Sequence, residues 1–466
     1  MIKFILNNDC INTALPPGMT LLDFVRYQKH LVGTKIGCRE GDCGACTVLV
    51  GESCDDKVNY HSVTSCLMPI GNAHGKHIVT IEGINGANLN IVQQSFVDQG
   101  ATQCGFCTPG FIVALTGYCL NDHLPTPENA IDAMNGNICR CTGYKSIEKA
   151  ATSINENLKL RNGQDPLTFA MANNIVPDYF KTIPGRLKEI KSINKDSGKI
   201  KKVAGGTDLY VQQHDTIVHE ELDFILDNSL LKGITQINNR CEMGASTTVS
   251  EMADSPVFIK YFPALKNIIK LVSSTPIRNM ATVAGNFTNA SPIGDLTIFF
   301  LALNAQLKLS NGNESRVVAL RDFYKGYKQL DKKPEEIIEK IVFELPDAND
   351  KFNFEKVCKR THLDIASVNT AILLKMNGDE IKEGSISAGG VGPVPKYLSA
   401  ASEYISGKKI SIALIKEIIE IAQTEISPIS DARGTEAYKR LLLSQLIKAH
   451  FICLFPELDN KKILLI

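Results

Sequence analysis

The stretch CREGDCGACTVLV, residues 38–50, places Cys38, Cys43 and Cys46 inside nine positions, and Cys66 follows after nineteen further residues. A C-x4-C-x2-C spacing with a more distant fourth cysteine is typical of the plant-type 2Fe-2S cluster. The glycines among these cysteines let the backbone curve around a compact cluster. Zinc is the alternative, because four thiolates also form a tetrahedral zinc site, although zinc ligands more often come as two C-x2-C pairs.

A second group of cysteines lies in the two short stretches QCGFCTPG and NICRCTGY, as Cys104, Cys107, Cys139 and Cys141. Residues two apart on a regular helix point away from each other, so the C-x-C pair predicts a turn. Each stretch borders a predicted helix, and a helix N-terminus favours thiolates. The group therefore predicts a second thiolate-bound cluster, with zinc again as the alternative.

The composition excludes several kinds of partner. Basic and acidic residues number 50 each, so the chain has no net charge and a nucleic-acid partner is not expected. The longest apolar run, Ile298–Leu303, is far shorter than the roughly 20 residues that cross a bilayer, so no membrane partner is expected. Fourteen cysteines suit a reducing compartment where thiols bind metals, and we expect a cytoplasmic protein.

The pattern of apolar residues changes along the 466 residues and predicts an α+β multidomain protein. Short alternating segments around one helix predict a small mixed sheet in residues 1–83. Four short helical stretches predict a bundle in 84–160. Three prolines and weak periodicity predict a linker at 161–185. An α/β domain is predicted at 186–347, and strands followed by two helices predict an α+β domain at 348–466.

Two glycine-containing stretches, VAGGTDLYV (203–211) and TVAGNFTNASPIGD (282–295), each predict a strand followed by a turn. Without a side chain, the backbone at Gly205, Gly206 and Gly285 would let amide groups approach a diphosphate. Side-chain donors would come from Thr207, Asn286 and Ser291. Neither stretch is G-x-G-x-x-G, so a Rossmann site is not indicated, and each stretch alone is equally consistent with a plain turn.

The stretches CREGDCGACTV, QCGFCTPG and GNICRCTGY together resemble the iron-sulfur part of the molybdenum hydroxylases, and the resemblance extends over nearly the whole chain. It implies a β-grasp ferredoxin-like domain, a four-helix-bundle 2Fe-2S domain, an α/β FAD-binding domain and an α+β C-terminal flavoprotein domain. All eight cysteine ligands of the two family clusters are present. Having both iron-sulfur parts ahead of the flavin part in one chain resembles the xanthine dehydrogenase small subunit.

The resemblance also implies which residues would bind FAD. The diphosphate would lie against two loops, formed by Val203, Ala204, Gly205, Gly206, Thr207, Asp208 and Leu209, and by Thr282, Val283, Ala284, Gly285 and Asn286. Asp295 would approach the ribose, Lys356 the flavin, and Tyr327 the isoalloxazine and nicotinamide rings. From the residues alone, Lys356 is equally a solvated strand charge and Tyr327 a half-buried loop aromatic.

The activity implied by the resemblance is electron transfer within a xanthine or hypoxanthine dehydrogenase, from molybdenum through both clusters and FAD to NAD. The cluster, flavin and C-terminal domains use all 466 residues, so we expect the molybdenum cofactor and the catalytic residues on a separate large subunit. The family's assembly has two copies of each subunit. The alternatives are an aldehyde or other N-heterocycle hydroxylase, a stand-alone NADH-linked flavoprotein reductase and a zinc-bearing assembly module.

Overall fold

The computed structural model describes residues 1–190, 201–360 and 363–465 of the chain. The fold divides into two units, the first formed by Met1–Leu226 with Ser274–Ala281 and the second by Asp227–Ser273 with Thr282–Ile466. Each unit buries apolar side chains of its own. The two units are therefore described separately.

The described strands are β1 (Ile2–Leu6), β2 (Asp9–Thr13), β3 (Thr47–Cys54), β4 (Lys57–Thr64), β5 (His77–Val79), β6 (Lys201–Val203), β7 (Leu222–Phe224), β8 (Ile234–Ile237), β9 (Arg240–Gly244), β10 (Gln306–Ser310), β11 (Ser315–Ala319), β12 (Tyr324–Gly326), β13 (Gln329–Leu330), β14 (Ile337–Glu344), β15 (Lys351–Val357), β16 (Val368–Asn377), β17 (Glu380–Gly389), β18 (Lys396–Tyr397) and β19 (Lys408–Lys409).

The described α-helices are α1 (Leu21–Asp23), α2 (Ile81–Ile84), α3 (Ile91–Asp98), α4 (Thr108–Cys119), α5 (Pro127–Ala133), α6 (Lys145–Lys159), α7 (Pro166–Ala172), α8 (Ile183–Lys188), α9 (Leu209–Gln212), α10 (Val249–Ala253), α11 (Pro256–Tyr261), α12 (Leu265–Lys270), α13 (Thr275–Arg278), α14 (Val283–Asn289), α15 (Asp295–Ala302), α16 (Ser399–Ile405), α17 (Ile412–Thr424), α18 (Glu436–Leu454) and α19 (Asn460–Leu465). None of them combines the length and apolarity needed to cross a membrane.

The N-terminal part of the first unit is a five-stranded mixed sheet in the order β2-β1-β5-β3-β4. Strands β1 and β5 are parallel and the other neighbours are antiparallel. Helix α1 continues into a π-helical turn at Phe24–Gln28, where the sequence predicts one helix. Phe4, Leu21 and Phe24 are almost fully buried. The predicted mixed sheet with one packed helix is confirmed.

Helices α3 to α6 form the predicted helical part of the first unit. The apolar helix α4 is buried at every position from Gly110 to Cys119, so it lies inside the group and not on its surface. Helix α6 buries one face through Ile147, Ile154 and Leu158, as its amphipathic sequence requires. The structure thus confirms four packed helices after the sheet.

Residues 161–185 are not a linker. Asp165 caps helix α7 by accepting a hydrogen bond from the Thr168 amide at 3.0 Å, and Pro166 occupies its first turn. Phe169, Phe180 and Ile183 pack into the same apolar core as helices α3 to α6. The prolines begin helical turns here, because proline fits the first turn of a helix, where no N–H is needed.

Strands β6 and β7, which the sequence assigns to the flavin part, pack with the N-terminal sheet. They are parallel to each other, and Val203, Tyr210 and Phe224 share one apolar core with Leu67 and residues of β1 and β3. The Tyr210 hydroxyl donates to the Gly18 carbonyl at 2.8 Å. The predicted domain 186–347 is therefore distributed over both units.

The described part of the second unit contains two five-stranded antiparallel sheets and the two-stranded antiparallel sheet β12-β13. One has the order β11-β10-β14-β9-β8, and the other has the order β15-β16-β17-β18 with β19 beside β17. Helices α16, α17 and α18 pack with the second sheet around Ile372, Leu443 and Phe451. The three strands and the two long helices that the sequence predicts after residue 348 are present.

A buried histidine of helix α18, His450, contacts two strands of this second sheet. The Asn353 amide nitrogen lies 3.0 Å from His450 Nδ1, and Thr370 Oγ1 lies 2.8 Å from Nε2. The side chain is fully buried. Burial lowers the pKa of His450 to about 3. The neutral imidazole fits both contacts, with Asn353 donating to Nδ1 and Nε2 donating to Thr370.

We expect His450 to contribute to acid unfolding. Its pKa in the folded chain lies below the value of about 6.5 in an unfolded chain, so the unfolded state binds more protons and stability falls as pH drops from about 6.5 to about 3. The variant His450→Gln should lack this contribution, which amounts to about 1.4 kcal/mol per pH unit in that window. Denaturant unfolding at pH 7, 6 and 5 measures both slopes, and equal slopes would contradict the assignment.

Candidate functional site

The first cysteine group lies in the loop before β3, with Cys66 directly after the end of β4. The thiols of Cys38 and Cys43 share one hydrogen bond, and those of Cys46 and Cys66 share another. The Cys38 amide donates to the Cys43 sulfur at 3.4 Å, and the Glu40 amide donates to the Cys38 sulfur at 3.3 Å. The loop thus gathers the four predicted ligands in two pairs, with backbone donors directed at the sulfurs.

Two glycines of this loop have no space for a side chain. A Cβ at Gly37 would lie 2.6 Å from the Cys43 sulfur. Gly44 has φ +66°, and a Cβ there would lie 2.4 Å from the Gly136 carbonyl oxygen. Glycine is needed at both positions, because a larger residue would displace either a sulfur or the neighbouring backbone.

Hydrogen bonding between paired sulfurs shifts the pKa values of the two cysteines of a pair in opposite directions. The hydrogen bond with Cys43 lowers the pKa of Cys38, and the same contact raises the pKa of Cys43. Likewise, the hydrogen bond with Cys66 lowers the pKa of Cys46, and the pKa of Cys66 is raised. In each pair the hydrogen bond thus favours the thiolate form of one sulfur, that of Cys38 or Cys46, and the thiolate is the form that binds a metal.

The second cysteine group lies where helices α4 and α6 begin. The sulfurs of Cys104 and Cys141 are 3.6 Å apart, and both residues are exposed. The thiols of Cys107 and Cys139 also share a hydrogen bond. Cys139 and Cys141 lie outside any helix, as the C-x-C spacing predicts. The second group thus repeats the arrangement of the first in two pairs, but its pair of Cys104 and Cys141 is exposed.

Two residues next to Cys139 support it, and the sequence did not single them out. The Thr142 hydroxyl donates to the Cys139 sulfur at 3.1 Å, and the Cys139 amide donates to the Tyr144 hydroxyl at 3.1 Å. Burial opposes ionisation, but the hydrogen bonds from Thr142 lower the pKa of Cys139. The threonine three positions after the cysteine was the available signal, since a hydroxyl there reaches back to the sulfur.

The pairing favours a two-iron cluster over a single zinc ion at each group. Each iron of such a cluster takes two thiolates and shares the bridging sulfides, whereas zinc needs all four sulfurs around one ion. In the described part of the chain, no three His, Cys, Asp or Glu side chains converge closely enough to hold one metal ion. The donor set of eight cysteines in four pairs fits two 2Fe-2S clusters.

The two ligand loops are in direct contact. The Ile138 amide, next to Cys139, donates to the Cys43 carbonyl at 3.0 Å. The Asn137 side chain donates to the Gly44 carbonyl at 2.9 Å. One hydrogen bond therefore joins the backbone beside a ligand of the second group to the backbone of a ligand of the first.

The first glycine-containing loop, residues Val203 to Leu209, follows β6 and leads into helix α9. Gly206 has φ +82°, and a Cβ there would lie 3.1 Å from the Leu67 carbonyl, one residue after Cys66. The amides of Gly205, Gly206 and Thr207 have no acceptor among the residues that the structure describes. Successive unpaired amides form an anion-binding surface, so this loop fits a diphosphate.

The second glycine-containing stretch is not a strand followed by a turn. Thr282 caps helix α14, and its hydroxyl accepts a hydrogen bond from the Gly285 amide at 3.1 Å. The Val283 amide donates to the Thr247 carbonyl, and the Asn286 amide donates to the Thr282 carbonyl. Ala284 is buried within this helix. Small residues fit either conformation, and the capping threonine decides for the helix.

Asp295 and Lys356, expected near ribose and flavin, form a buried ion pair with each other. Lys356 Nζ lies 2.7 Å from Asp295 Oδ2 and also donates to the Leu271 carbonyl at 2.7 Å. The Asn369 amide donates to Asp295 Oδ1 at 2.6 Å. Burial raises the pKa of Asp295, and Lys356 and Asn369 only partly oppose it. The sequence did not single out Asn369, and no local motif marks it.

Three further residues predicted to bind the flavin, Asn286, Ser291 and Tyr327, have other surroundings. Asn286 Oδ1 accepts from the amide and hydroxyl of Thr297 at 3.2 and 3.1 Å, so it helps to hold helix α15. The Ser291 hydroxyl accepts from the Ile293 amide at 3.4 Å. Tyr327 lies between β12 and β13 and is 63% exposed. The tyrosine is thus available to a ligand at the surface.

Four known domain families match consecutive parts of the chain. A 2Fe-2S iron-sulfur cluster binding domain matches residues 5–71, and a second [2Fe-2S] binding domain matches 80–152. The FAD binding domain in molybdopterin dehydrogenase matches 178–346, and the CO dehydrogenase flavoprotein C-terminal domain matches 354–454. Together the four models cover most of the chain and support the molybdenum hydroxylase family.

Full-length relatives agree with this family assignment. Xanthine dehydrogenase from Emericella nidulans is 28% identical over 88% of the chain, and aldehyde oxidase 2 from Macaca fascicularis is 26% identical over 99%. The chain spans only 35% and 39% of these two proteins, respectively. These relatives carry further sequence beyond the part that the chain matches.

Solved structures of this family share the fold. Carbon monoxide dehydrogenase from Hydrogenophaga pseudoflava is 23% identical with a TM-score of 0.52, covering 55% of this chain and 89% of that one. Quinoline 2-oxidoreductase from Pseudomonas putida 86 is 22% identical with a TM-score of 0.50, covering 55% and 88%. These two likenesses show the fold of about half of this chain.

Proposed function

We propose that this chain is the electron-transfer subunit of a molybdenum-dependent xanthine or hypoxanthine dehydrogenase and passes electrons from a large molybdenum-cofactor subunit to NAD. The observation that carries the proposal is the contact between the two ligand loops through Ile138 and Cys43. A second contact, between Leu67 and Gly206, brings the first group beside the loop with unpaired amides. The three parts of a redox chain are therefore adjacent.

The exposure of the cysteines supports a direction for this chain. Cys104 and Cys141 are exposed, beside the exposed apolar side chains of Phe106 and Tyr144. Cys46 and Cys66 are buried, and Cys66 lies next to the residue that touches the glycine loop. We infer that the second group faces the partner subunit and that the first group serves the flavin.

The residues proposed to hold the cofactors follow from these contacts. Each group of four cysteines would hold one 2Fe-2S cluster, and the amides of Gly205, Gly206 and Thr207 would hold the FAD diphosphate. Clusters of this kind carry single electrons, and FAD exchanges one or two, so together they connect one-electron transfer with hydride transfer to NAD. The backbone amides that donate to the Cys38 and Cys43 sulfurs would orient these two ligands.

The second unit supplies the other proposed flavin residues. Tyr327 is exposed and would lie against the isoalloxazine and nicotinamide rings. Lys356 would fix Asp295 near the ribose, since the two form a buried ion pair. We further propose an assembly with two copies of each subunit, in the cytoplasm, where the cluster thiols stay reduced.

Two alternative functions are related to the proposed one. The match to an aldehyde oxidase over almost the whole chain keeps an aldehyde or another N-heterocycle as an alternative substrate of the complex. A stand-alone NADH-linked flavoprotein reductase would need the flavin and clusters but no partner. Co-purification of a large molybdenum subunit with this chain separates that reductase from the other two.

The proposal predicts the cofactor content and the activity of the isolated chain. Two irons in each of two clusters give about four irons per chain, with one FAD. The chain purified anaerobically should oxidise NADH with an artificial electron acceptor and leave xanthine untouched, because the substrate site lies on the partner. Iron and flavin assays and NADH kinetics measure these outcomes.

The complex with the large subunit provides the matching test. It should reduce NAD with xanthine or hypoxanthine, whereas preferential turnover of an aldehyde would select the alternative substrate. Stoichiometric zinc in place of iron, or xanthine turnover by the isolated chain, would contradict the proposal.

A further inference from the structure

Arg39, in the loop between Cys38 and Cys43, is held in a defined position. It has φ +59°, a left-handed conformation that is uncommon for residues other than glycine. Its guanidinium forms a two-pronged ion pair with Asp23, with Nη2 2.7 Å from Oδ1 and Nη1 3.2 Å from Oδ2. The Thr20 hydroxyl donates to the same carboxylate at 2.8 Å. The loop that would hold the first cluster is thus tied to helix α1.

A third contact of Arg39 reaches the segment after helix α9. Arg39 Nη1 lies 3.4 Å from His214 Nε2. Arginine only donates, so Nε2 accepts, and the proton of the neutral imidazole lies on Nδ1. That Nδ1 is enclosed and has no partner among the described residues. The network therefore joins the first ligand loop to the helix that follows the glycine loop.

Both members of the ion pair carry charge. Burial by itself raises the pKa of Asp23, but the hydrogen bonds from Arg39 and Thr20 bring it below its ordinary value. The side chains are 29% and 25% exposed, so solvent only partly screens them. A positive charge on the residue after Cys38 is thus held against a negative charge at the end of helix α1.

We propose that Arg39 and Asp23 act in opposite directions on the reduction potential of the first cluster, so that each charge offsets the other. This inference rests on the proposed function, since it requires a 2Fe-2S cluster at Cys38, Cys43, Cys46 and Cys66. Reduction adds one negative charge to the cluster, which Arg39 stabilises and Asp23 destabilises. Net charge and hydrogen bonding around the sulfurs are what set the potentials of such clusters. The paired charges hold the potential between the values that either charge alone would give.

The test is a redox titration of the full chain, monitored by the electron paramagnetic resonance signals of both clusters. Arg39→Gln should shift the potential of the first cluster downward, and Asp23→Asn should shift it upward. The double variant should return close to the unaltered value, because it removes both charges. Arg39→Lys should keep the potential near the unaltered value. The potential of the second cluster should change less than that of the first in every variant.

A matched control is Arg316→Gln, because Arg316 forms a similar forked pair with Glu336 and Asp331 in the second unit. It should leave both potentials unchanged. Shifts in the same direction for Arg39→Gln and Asp23→Asn, or no shift in either, would overturn the inference. If Arg39→Gln fails to assemble the first cluster, Asp23→Asn decides alone by the sign of its shift. Absence of both signals in the unaltered chain would instead overturn the proposed function.

Discussion

Replacing Cys43 with alanine is expected to remove one of the two iron-sulfur signals and about half of the iron, while the other cluster and the FAD remain. Cys43 pairs with Cys38 through their sulfurs, so its loss leaves one iron with a single thiolate. The ligands of the second group come from other elements and keep their own pairs. Iron analysis and electron paramagnetic resonance of the purified variant measure the result.

The mirror variant and a control complete this experiment. Cys139→Ala should remove the other signal and retain the first. Cys10→Ala should retain both, since Cys10 is an exposed residue of β2 outside either group. Loss of both signals from either ligand variant would mean that the groups do not form independent clusters. NADH oxidation with an acceptor that takes electrons from FAD should survive in all three variants.

The second large effect, a loss of folding stability, is expected when the ion pair of Asp295 and Lys356 is broken. Lys356 is 1% exposed, and Lys356→Met would leave the buried carboxylate without its cation. Removing one partner of a buried pair costs about 3–5 kcal/mol. Denaturant unfolding of the variant should show a loss of that order. The FAD content should fall as well if the pair holds the ribose, as we propose.

Two further variants separate the contribution of charge to the stability from the contribution of side-chain packing. Combining Lys356→Met with Asp295→Asn should restore most of the stability, because no unpaired charge remains. Lys375→Met removes a lysine of the same sheet that pairs with Glu344 and Glu383 and is 31% exposed. Exposed pairs contribute about 1 kcal/mol or less, so this control should change little. An equal loss in the single and double variants would show that packing, and not charge, accounts for the effect.

The cysteine ligands could be predicted from the sequence because their chemistry is recorded in local spacing. Cys38, Cys43 and Cys46 are within nine residues, and one loop brings them together. The C-x-C spacing likewise required a turn at Cys139. Short-range geometry of this kind depends little on the rest of the fold. The arrangement of the sulfurs in pairs, by contrast, became apparent only in three dimensions.

Contacts between distant residues could not be predicted in this way. Asp295 and Lys356 are 61 residues apart, and Asn369 is 74 residues from Asp295. Burial of this trio depends on how β15, β16 and α15 pack, which no local pattern records. The error at 161–185 had a different cause. Asp165 followed by Pro166 is a helix-start signal, and we interpreted the prolines only as breaks.

The apolar core shared by the N-terminal sheet with β6 and β7 limits where the coding sequence can be divided. A gene split before residue 178 would deprive its first product of Val203, Tyr210 and Phe224, and would leave the apolar side of Leu67 and Ile70 exposed to aggregation. A split after Leu226 would keep all of that core except the contributions of Ile277 and Met280. Division after Leu226 would therefore keep more of this apolar core with the N-terminal sheet than division before residue 178.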